Sequence, residues 1–265
     1  MAVPTISGAE LGGSSRLPAL VVGPSLGTST ATLWGAVADR LTDRFHVVGW
    51  DLPGHGSPVG EAFDMAELAA GVLTFVEDSL GVGREFAYAG DSVGGCVGLQ
   101  LMLEHPARVR SAVLLCTGAR IGDADGWTQR AALVRHDGTA AVVRGSADRW
   151  FAPGFRDREP VVADRLLHEL ATFDARGYAQ VCLALAAFDV TERLPEISVP
   201  VRTVAGGHDV ATPPASLRQI AERVQHGHAV VLDDVAHLAP AEAPDRVADL
   251  IAQHLSIRHP PRGEP

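Results

Sequence analysis

The alternation of two kinds of segment along the chain limits its fold more than any other feature. Short runs rich in β-branched residues are separated by longer segments with the period of an α-helix. Most of the short runs are apolar throughout, which is typical of strands covered on both faces. The alternation predicts an α/β fold with a mostly parallel central sheet, helices on both faces and right-handed crossovers.

Six strands and five helices follow from this pattern. The predicted strands are ALVVG (19–23), FHVVGW (45–50), EFAYAG (85–90), SAVLLC (111–116), VRTVAG (201–206) and AVVLDD (229–234). The segments of helical period are 32–43, 65–80, 93–105, 214–225 and 242–255.

The alternation stops in the middle of the chain. Residues 121–194 contain helix-like patches and no convincing strand. We interpret this stretch as a helical lid over an α/β core that is formed by residues 1–120 and 195–256. The C-terminal segment 257–265 is rich in proline and charge, and we expect it to be a flexible tail.

Charge and cysteine content argue against several classes of protein. The 32 acidic and 22 basic residues give a formal net charge of −10, which disfavours binding to nucleic acid or to an anionic membrane. The three cysteines (96, 116 and 182) lack a C-x-x-C spacing, so we expect buried thiols, no disulfide and no metal site. With no signal-peptide pattern and no run of roughly 18 apolar residues, the chain is expected to be cytoplasmic.

The sequence GDSVGG (90–95) places a serine between a predicted strand and a predicted helix. Gly-x-Ser-x-Gly in this setting predicts a nucleophile elbow, a sharp turn that exposes the Ser92 hydroxyl above the sheet. Gly90 and Gly94 would stand where a Cβ atom strikes neighbouring chain, and the helix N-terminus would supply positive potential. The alternative is an ordinary glycine turn.

A serine nucleophile needs a base, and the base needs an orienting acid. Asp209 in GGHDVATPP and His237 in LDDVAHLAP each follow a late predicted strand, so both should emerge at the same sheet edge as Ser92. His208 is a rival base that would point elsewhere. Asp233 and Asp234 are rival acids, but they lie too close to His237 in sequence to reach its far nitrogen easily.

Acyl transfer also requires backbone donors for an oxyanion. We expect one from the N–H of Val93 and the other from Leu26, in the loop PSLGTS (24–29), where Gly27 permits a tight turn. A plain Pro/Gly loop is the alternative. His55, in WDLPGHGSP, is expected to have a structural role at the rim of the site.

The chain resembles the α/β-hydrolase superfamily over nearly its full length, and within it the 3-oxoadipate enol-lactonases. The wider resemblance rests on PSLGTS, WDLPGHG, GDSVGG, GHD and AHL, in that order. The finer one rests on SLGT (25–28), TGARIG (117–122), RWFAPGF (149–155), GYAQVC (177–182) and HDVATPP (208–214). It implies that Ser92, Asp209 and His237 are catalytic.

The same resemblance implies that lid residues Trp127, Arg130 and Trp150 lie near the substrate. Their alternative roles are lid packing for the tryptophans and a solvated helix face for Arg130. Two features depart from the family pattern. Asp91 adds a negative charge beside the nucleophile, and the N-terminal segment is short for the usual opening pair of strands.

The implied reaction opens a small anionic lactone, 3-oxoadipate enol-lactone, to 3-oxoadipate in the β-ketoadipate pathway of aromatic catabolism, without metal or organic cofactor. A carboxylesterase, a C–C bond hydrolase or a perhydrolase-like enzyme on the same core stays open, as does a non-catalytic binding module. A homo-oligomer and a functional link to a carboxymuconolactone decarboxylase, which is fused to the lactonase in some relatives, are the partner hypotheses.

Overall fold

The computed structural model describes residues 2–256. Within these residues, seven strands form one sheet in the order β1-β3-β2-β4-β5-β6-β7. They are β1 (Gly8–Gly12), β2 (Ala19–Gly23), β3 (His46–Trp50), β4 (Phe86–Asp91), β5 (Val109–Leu115), β6 (Val201–Gly206) and β7 (Gly227–Leu232). Within the described range, β1 runs antiparallel to β3 and the other neighbouring strands pair in parallel.

Eleven α-helices and two 3₁₀ helices accompany the sheet in the described residues. The α-helices are α1 (Thr30–Ala38), α2 (Met65–Leu80), α3 (Val93–Glu104), α4 (Ala124–Asp137), α5 (Val143–Trp150), α6 (Phe155–Arg158), α7 (Pro160–Thr172), α8 (Ala175–Ala187), α9 (Pro214–Arg223), α10 (Ala239–Glu242) and α11 (Pro244–Ser256). The 3₁₀ helices are Thr139–Val142 and Thr191–Glu196.

The predicted α/β architecture is confirmed, and the central strands explain its sequence pattern. Every residue of β2, β3 and β4 is buried, as the continuous apolar runs indicated. Large side chains such as Trp34, Trp50 and Tyr88 fill the space between sheet and helices and are completely buried. The prediction of α2 at 65–80 matches the observed helix.

The structure differs from the predicted elements most clearly at three places. β1 was not predicted, because GAELG lacks β-branched residues and lies half exposed at the sheet edge. It is a single opening strand paired with β3 rather than a hairpin. Helix α1 ends at Ala38, and the chain continues in turns towards β3. The final predicted helix (242–255) corresponds to α11, and the short helix α10 before it is not in the prediction. Helix α11 begins at Pro244, because proline lacks an N–H and restricts the residue before it.

In the described chain, the segment between β5 and β6 contains helices and no strand. We call residues 124–196 of this segment the insertion. Its contacts with the core include hydrogen bonds at three places. Glu169 of α7 accepts hydrogen bonds from Ser29 and Thr32 at the start of α1. The N–H of Asp174 donates to the Gly54 carbonyl (3.1 Å), and the N–H of His237 donates to the Trp150 carbonyl (3.2 Å).

These contacts place the insertion over the carboxyl ends of the parallel strands, where α/β proteins carry their sites. The lid role and the domain boundaries at 120, 121, 194 and 195 stay predictions. The predicted tail 257–265 lies outside the described residues. No helix within residues 2–256 is long and apolar enough to cross a membrane.

Candidate active site

Ser92 forms the sharp turn between β4 and α3. Its backbone has φ 52° and ψ −116°, in the left-handed half of conformational space that non-glycine residues rarely adopt. Such strain costs about 1–3 kcal/mol and persists only where the surroundings enforce it. Here the Ser92 N–H donates to the Leu115 carbonyl (2.9 Å), and the Thr117 hydroxyl donates to the Ser92 carbonyl (2.6 Å).

The two glycines that flank the turn are required by close backbone packing, as predicted. A Cβ atom on Gly90 would lie 2.4 Å from the carbonyl oxygen of Gly94. A Cβ atom on Gly94 would lie 2.7 Å from the carbonyl oxygens of Gly23 and Pro24. The G-x-S-x-G spacing therefore has a steric cause in this structure.

The side chains of Ser92, His237 and Asp209 form a continuous hydrogen-bonded relay. His237 Nε2 lies 3.0 Å from Ser92 Oγ, and His237 Nδ1 lies 2.8 Å from Asp209 Oδ2. The three residues are 7%, 5% and 2% exposed, respectively. Each reaches the site from a loop or turn at the carboxyl end of a strand, namely β4, β7 and β6.

Asp209 is held as an ion by its neighbours. Burial by itself would raise its pKa, but attraction to His237 and hydrogen bonds from His237 and Thr212 outweigh this and lower the pKa below its ordinary value. The Thr212 hydroxyl donates to Oδ2 at 2.6 Å, and the backbone N–H groups of Ala211 and Thr212 donate to Oδ1 at 2.8 and 3.0 Å. An ionised Asp209 fixes the proton of His237 on Nδ1 and leaves Nε2 free to accept one.

The rival residues lie apart from this relay. His208 and Asp233 are exposed. Asp234 is also exposed and forms an ion pair with Arg246 (2.7 Å).

The two predicted oxyanion donors lie on α3 and in the loop after β2. Val93 is the first residue of α3, so its N–H has no acceptor within the helix. Leu26 is buried in the loop after β2, and Gly27 beside it has φ 91°. This loop is held against α3 because the N–H of Gly94 donates to the Pro24 carbonyl (3.0 Å). The donor roles of Val93 and Leu26 stay predictions.

With this geometry in place, comparison with known proteins identifies the family. Residues 20–250 match the model of the alpha/beta hydrolase family. This chain belongs to that family.

Relatives of this α/β hydrolase confirm the finer resemblance. Acinetobacter baylyi 3-oxoadipate enol-lactonase 2 is 34% identical over 88% of this chain and 86% of its own length. Enol-lactonase 1 of the same organism is 32% identical over 92% of this chain and 90% of its own length. The crystal structure of an enol-lactonase from Burkholderia xenovorans superposes with a TM-score of 0.90 at 30% identity, covering 95% of this chain and 96% of that one. The chain is a hydrolase that acts on ester bonds.

Arg130 of α4 is half-buried, and its guanidinium contacts other helices of the insertion. Its Nε donates to the Tyr178 hydroxyl (2.9 Å) and its Nη2 to the Ser146 hydroxyl (3.1 Å). The guanidinium also lies 5.9 Å from the centre of the Trp127 ring. Trp127 itself is half-buried and donates from its indole N–H to the Ile121 carbonyl (2.6 Å).

Trp150 of α5 is buried and contacts the core on two sides. Its ring lies next to Gly27, and its carbonyl accepts the N–H groups of His237 and Leu238 (3.2 and 3.3 Å). It therefore joins the loop of His237 to the predicted oxyanion loop. The substrate-binding roles of Trp127, Arg130 and Trp150 stay predictions.

His55 is a buried residue of the rim loop. Its Nδ1 donates to the Pro53 carbonyl (3.0 Å). The ring centres of Phe173 and Tyr178 lie 4.4 and 5.7 Å from that of His55, tilted for Phe173 and stacked for Tyr178. Burial lowers the pKa of His55 to about 4, so the ring is neutral. These contacts agree with the structural role that the sequence indicated.

The surroundings of Asp91 oppose the negative charge that the sequence indicates there. Asp91 is completely buried under the turn. Burial first, and then the nearby charges of Asp209 and Glu242, raise its pKa well above the ordinary value, while Ser25 opposes this weakly. Burial and these charges therefore oppose the ionised form of Asp91 beside Ser92.

Sequence reasoning missed Thr117, Thr212 and Glu242. The spacing Asp209-x-x-Thr212 is a local turn pattern that could have indicated the Thr212 contact. Nothing in the sequence indicated Thr117 or Glu242, because both act on backbone groups of distant segments.

Among residues 2–256, no group of three or more His, Cys, Asp or Glu side chains could hold a metal ion.

Proposed function

We propose that this α/β hydrolase opens 3-oxoadipate enol-lactone to 3-oxoadipate, with Ser92 as nucleophile, His237 as general base and Asp209 as orienting acid. The observation that carries the catalytic assignment is the relay from Ser92 Oγ through His237 to Asp209, at 3.0 and 2.8 Å. The enol-lactonases that cover most of the chain at 30–34% identity support the choice of substrate.

Acylation begins when His237 Nε2 takes the proton of Ser92 and the serine oxygen attacks the lactone carbonyl. The N–H groups of Val93 and Leu26 stabilise the oxyanion, and one such donor contributes about 3–4 kcal/mol to the barrier reduction. The ring C–O bond then breaks, and His237 returns its proton to the departing enol oxygen. The enol tautomerises to the ketone while the acyl group stays on Ser92.

Deacylation repeats the same proton transfers with water. His237 takes a proton from water, the hydroxide attacks the acyl carbonyl, and the proton passes back to Ser92 Oγ as the acyl bond breaks. The net change adds one water and gives the open dicarboxylate. The chemistry of this cycle calls for no redox step.

Two arginines of the insertion support an anionic substrate. In the described part of the chain, neither Arg130 nor Arg149 forms a salt bridge with a carboxylate. Burial, and then the charge of Arg130, lower the pKa of Arg149. The charge of Asp148 acts on Arg149 in the opposite direction. A guanidinium without a salt bridge favours a carboxylate ligand, and we assign the substrate carboxylate to Arg130.

Substrate selectivity tests this assignment. We expect kcat/KM for the enol-lactone to exceed kcat/KM for neutral aryl esters of similar size, because a neutral ester cannot pair with Arg130. Equal or greater kcat/KM on the neutral esters would favour the carboxylesterase alternative, and turnover of a vinylogous diketone would favour the C–C bond hydrolase.

The same proposal includes a place in the β-ketoadipate pathway and a cytoplasmic location. It also includes a partner, either a carboxymuconolactone decarboxylase or a second copy of this chain.

A further inference from the structure

Glu242, the last residue of α10, connects two segments that are far apart in sequence. One carboxylate oxygen accepts the N–H of Ala236 (2.8 Å), the residue before His237. The other accepts the N–H of Ala152 (2.8 Å), in the insertion. Both distances lie within the usual range of N–H···O hydrogen bonds.

The same two segments are joined a second time. The N–H groups of His237 and Leu238 both donate to the carbonyl of Trp150 (3.2 and 3.3 Å). Four hydrogen bonds therefore fix the backbone around His237 to the segment Trp150–Ala152. The two through Glu242 are the shorter ones, and they are the only two of the four that a side-chain substitution can remove.

We propose that Glu242 is a positioning residue, whose carboxylate holds the loop of His237 against the insertion so that the imidazole stays in line between Ser92 and Asp209. This role rests on the proposed function of that relay. Glu242 itself touches neither the reacting atoms nor the expected substrate position; it acts through backbone. A displacement of about 1 Å at a catalytic group can reduce the rate by as much as 10²-fold.

The titratable groups that act on Glu242 electrostatically come from three other elements. They are Asp91 on β4, Asp209 after β6 and His237 after β7. Burial is the main cause that raises the pKa of Glu242 to about 7, and the charge of Asp209 adds to this increase. The hydrogen bonds from the Ala152 and Ala236 N–H groups and the charge of His237 act in the opposite direction. Protonation puts an O–H on one oxygen, which can then no longer accept its amide N–H fully. The connection should therefore weaken as the pH falls through about 7.

The test is the rate at which a fluorophosphonate probe labels Ser92, since this reaction depends on His237 and on no natural substrate. We compare wild type, Glu242→Gln and the control Asp249→Asn, an exposed acid on the neighbouring helix α11. Near pH 8 we expect Glu242→Gln to react about 10–100-fold more slowly, and the control to match wild type. On acidification through about pH 7 the wild-type rate should fall more steeply than the rate of Glu242→Gln, because the variant lacks the carboxylate that is protonated in this range.

The possible outcomes separate the two proposals. Labelling of Glu242→Gln at the wild-type rate, with the same pH dependence, would overturn the positioning role and leave the proposed function intact. Wild type that is not labelled at Ser92 would overturn the proposed function, and the positioning role with it.

A second measurement covers the case in which Glu242→Gln fails to fold. In wild type, amide exchange of Ala152 and Ala236, corrected for its intrinsic pH dependence, should become faster as the pH falls through about 7. Protection of these two amides that does not change with pH would overturn the proposal.

Discussion

The hydroxyl oxygen of Ser92 lies 3.0 Å from Nε2 of His237, although 145 residues separate them along the chain. The contact exists because the loops after β4 and β7 leave a parallel sheet at the same edge. At this distance a proton can pass directly between the two atoms.

Asp209 should be essential for the orientation of His237. Asp209→Asn keeps the shape but presents an amide to Nδ1, which favours the tautomer whose Nε2 is already protonated. We expect kcat on the enol-lactone to fall by roughly 10³–10⁴-fold, by analogy with other Ser-His-Asp hydrolases. Asp233→Asn, at an exposed position nearby in the fold, should keep wild-type kcat, and a loss of less than tenfold in Asp209→Asn would contradict the assignment.

The hydrogen bond from Thr212 to Asp209 should contribute to the same function. Thr212→Val removes the donor at 2.6 Å and keeps the side-chain shape. A hydrogen bond to a charged group contributes about 1.5–3 kcal/mol, so kcat should fall roughly 10–100-fold. Thr74→Val, at an exposed position of α2, is the control. Steady-state rates that are unchanged in Thr212→Val would show that Asp209 is held without this bond.

Substitution by alanine at two helical glycines should change the free energy of unfolding in opposite directions. In Gly94→Ala the new Cβ meets backbone atoms 2.7 Å away, so the loop 24–29 must shift, at a cost of about 1–3 kcal/mol. In Gly35→Ala the Cβ meets nothing within 4 Å, and the substitution should stabilise α1 by about 0.5–1 kcal/mol. Urea unfolding of both variants measures the difference, and a Gly94→Ala protein as stable as wild type would contradict the packing account.

Arg130 should select for the charged substrate. Arg130→Gln keeps a hydrogen-bond donor but loses the charge, so kcat/KM for the enol-lactone should fall about 10–100-fold, the value of a charge-assisted contact. Turnover of a neutral aryl ester should change little. Arg135→Gln, exposed on the same helix, is the matched control. An equal loss on both substrates in Arg130→Gln would indicate a packing role.

Asp91 should make stability depend on pH. An acid whose pKa is higher in the folded than in the unfolded protein contributes stability that is fully present below the unfolded value and is lost as the pH rises above it. The ordinary value is 3.8, so wild type should lose stability relative to Asp91→Asn from about pH 4 upwards. Urea unfolding at several pH values measures this, and a difference that stays constant would contradict a buried neutral acid at this position.

Features of the fold and the candidate site that have a local steric or topological cause could be predicted from the sequence. Ser92 could be predicted because its flanking glycines are needed for backbone contact, and Asp209 and His237 because the alternation of strands and helices carries their loops to one edge. Glu242 could not be predicted, since its partners are backbone N–H groups 90 and 6 residues away, and a backbone donor leaves no trace in the sequence. β1 was missed because an exposed edge strand needs no apolar run.

The most direct test of the whole account is hydrolysis of 3-oxoadipate enol-lactone by Ser92→Ala beside wild type, with both proteins shown to be folded. If Ser92 is the nucleophile, wild type turns over the lactone and the variant loses a factor of about 10⁴ or more in kcat. Turnover by Ser92→Ala at a rate close to that of wild type would contradict the serine mechanism.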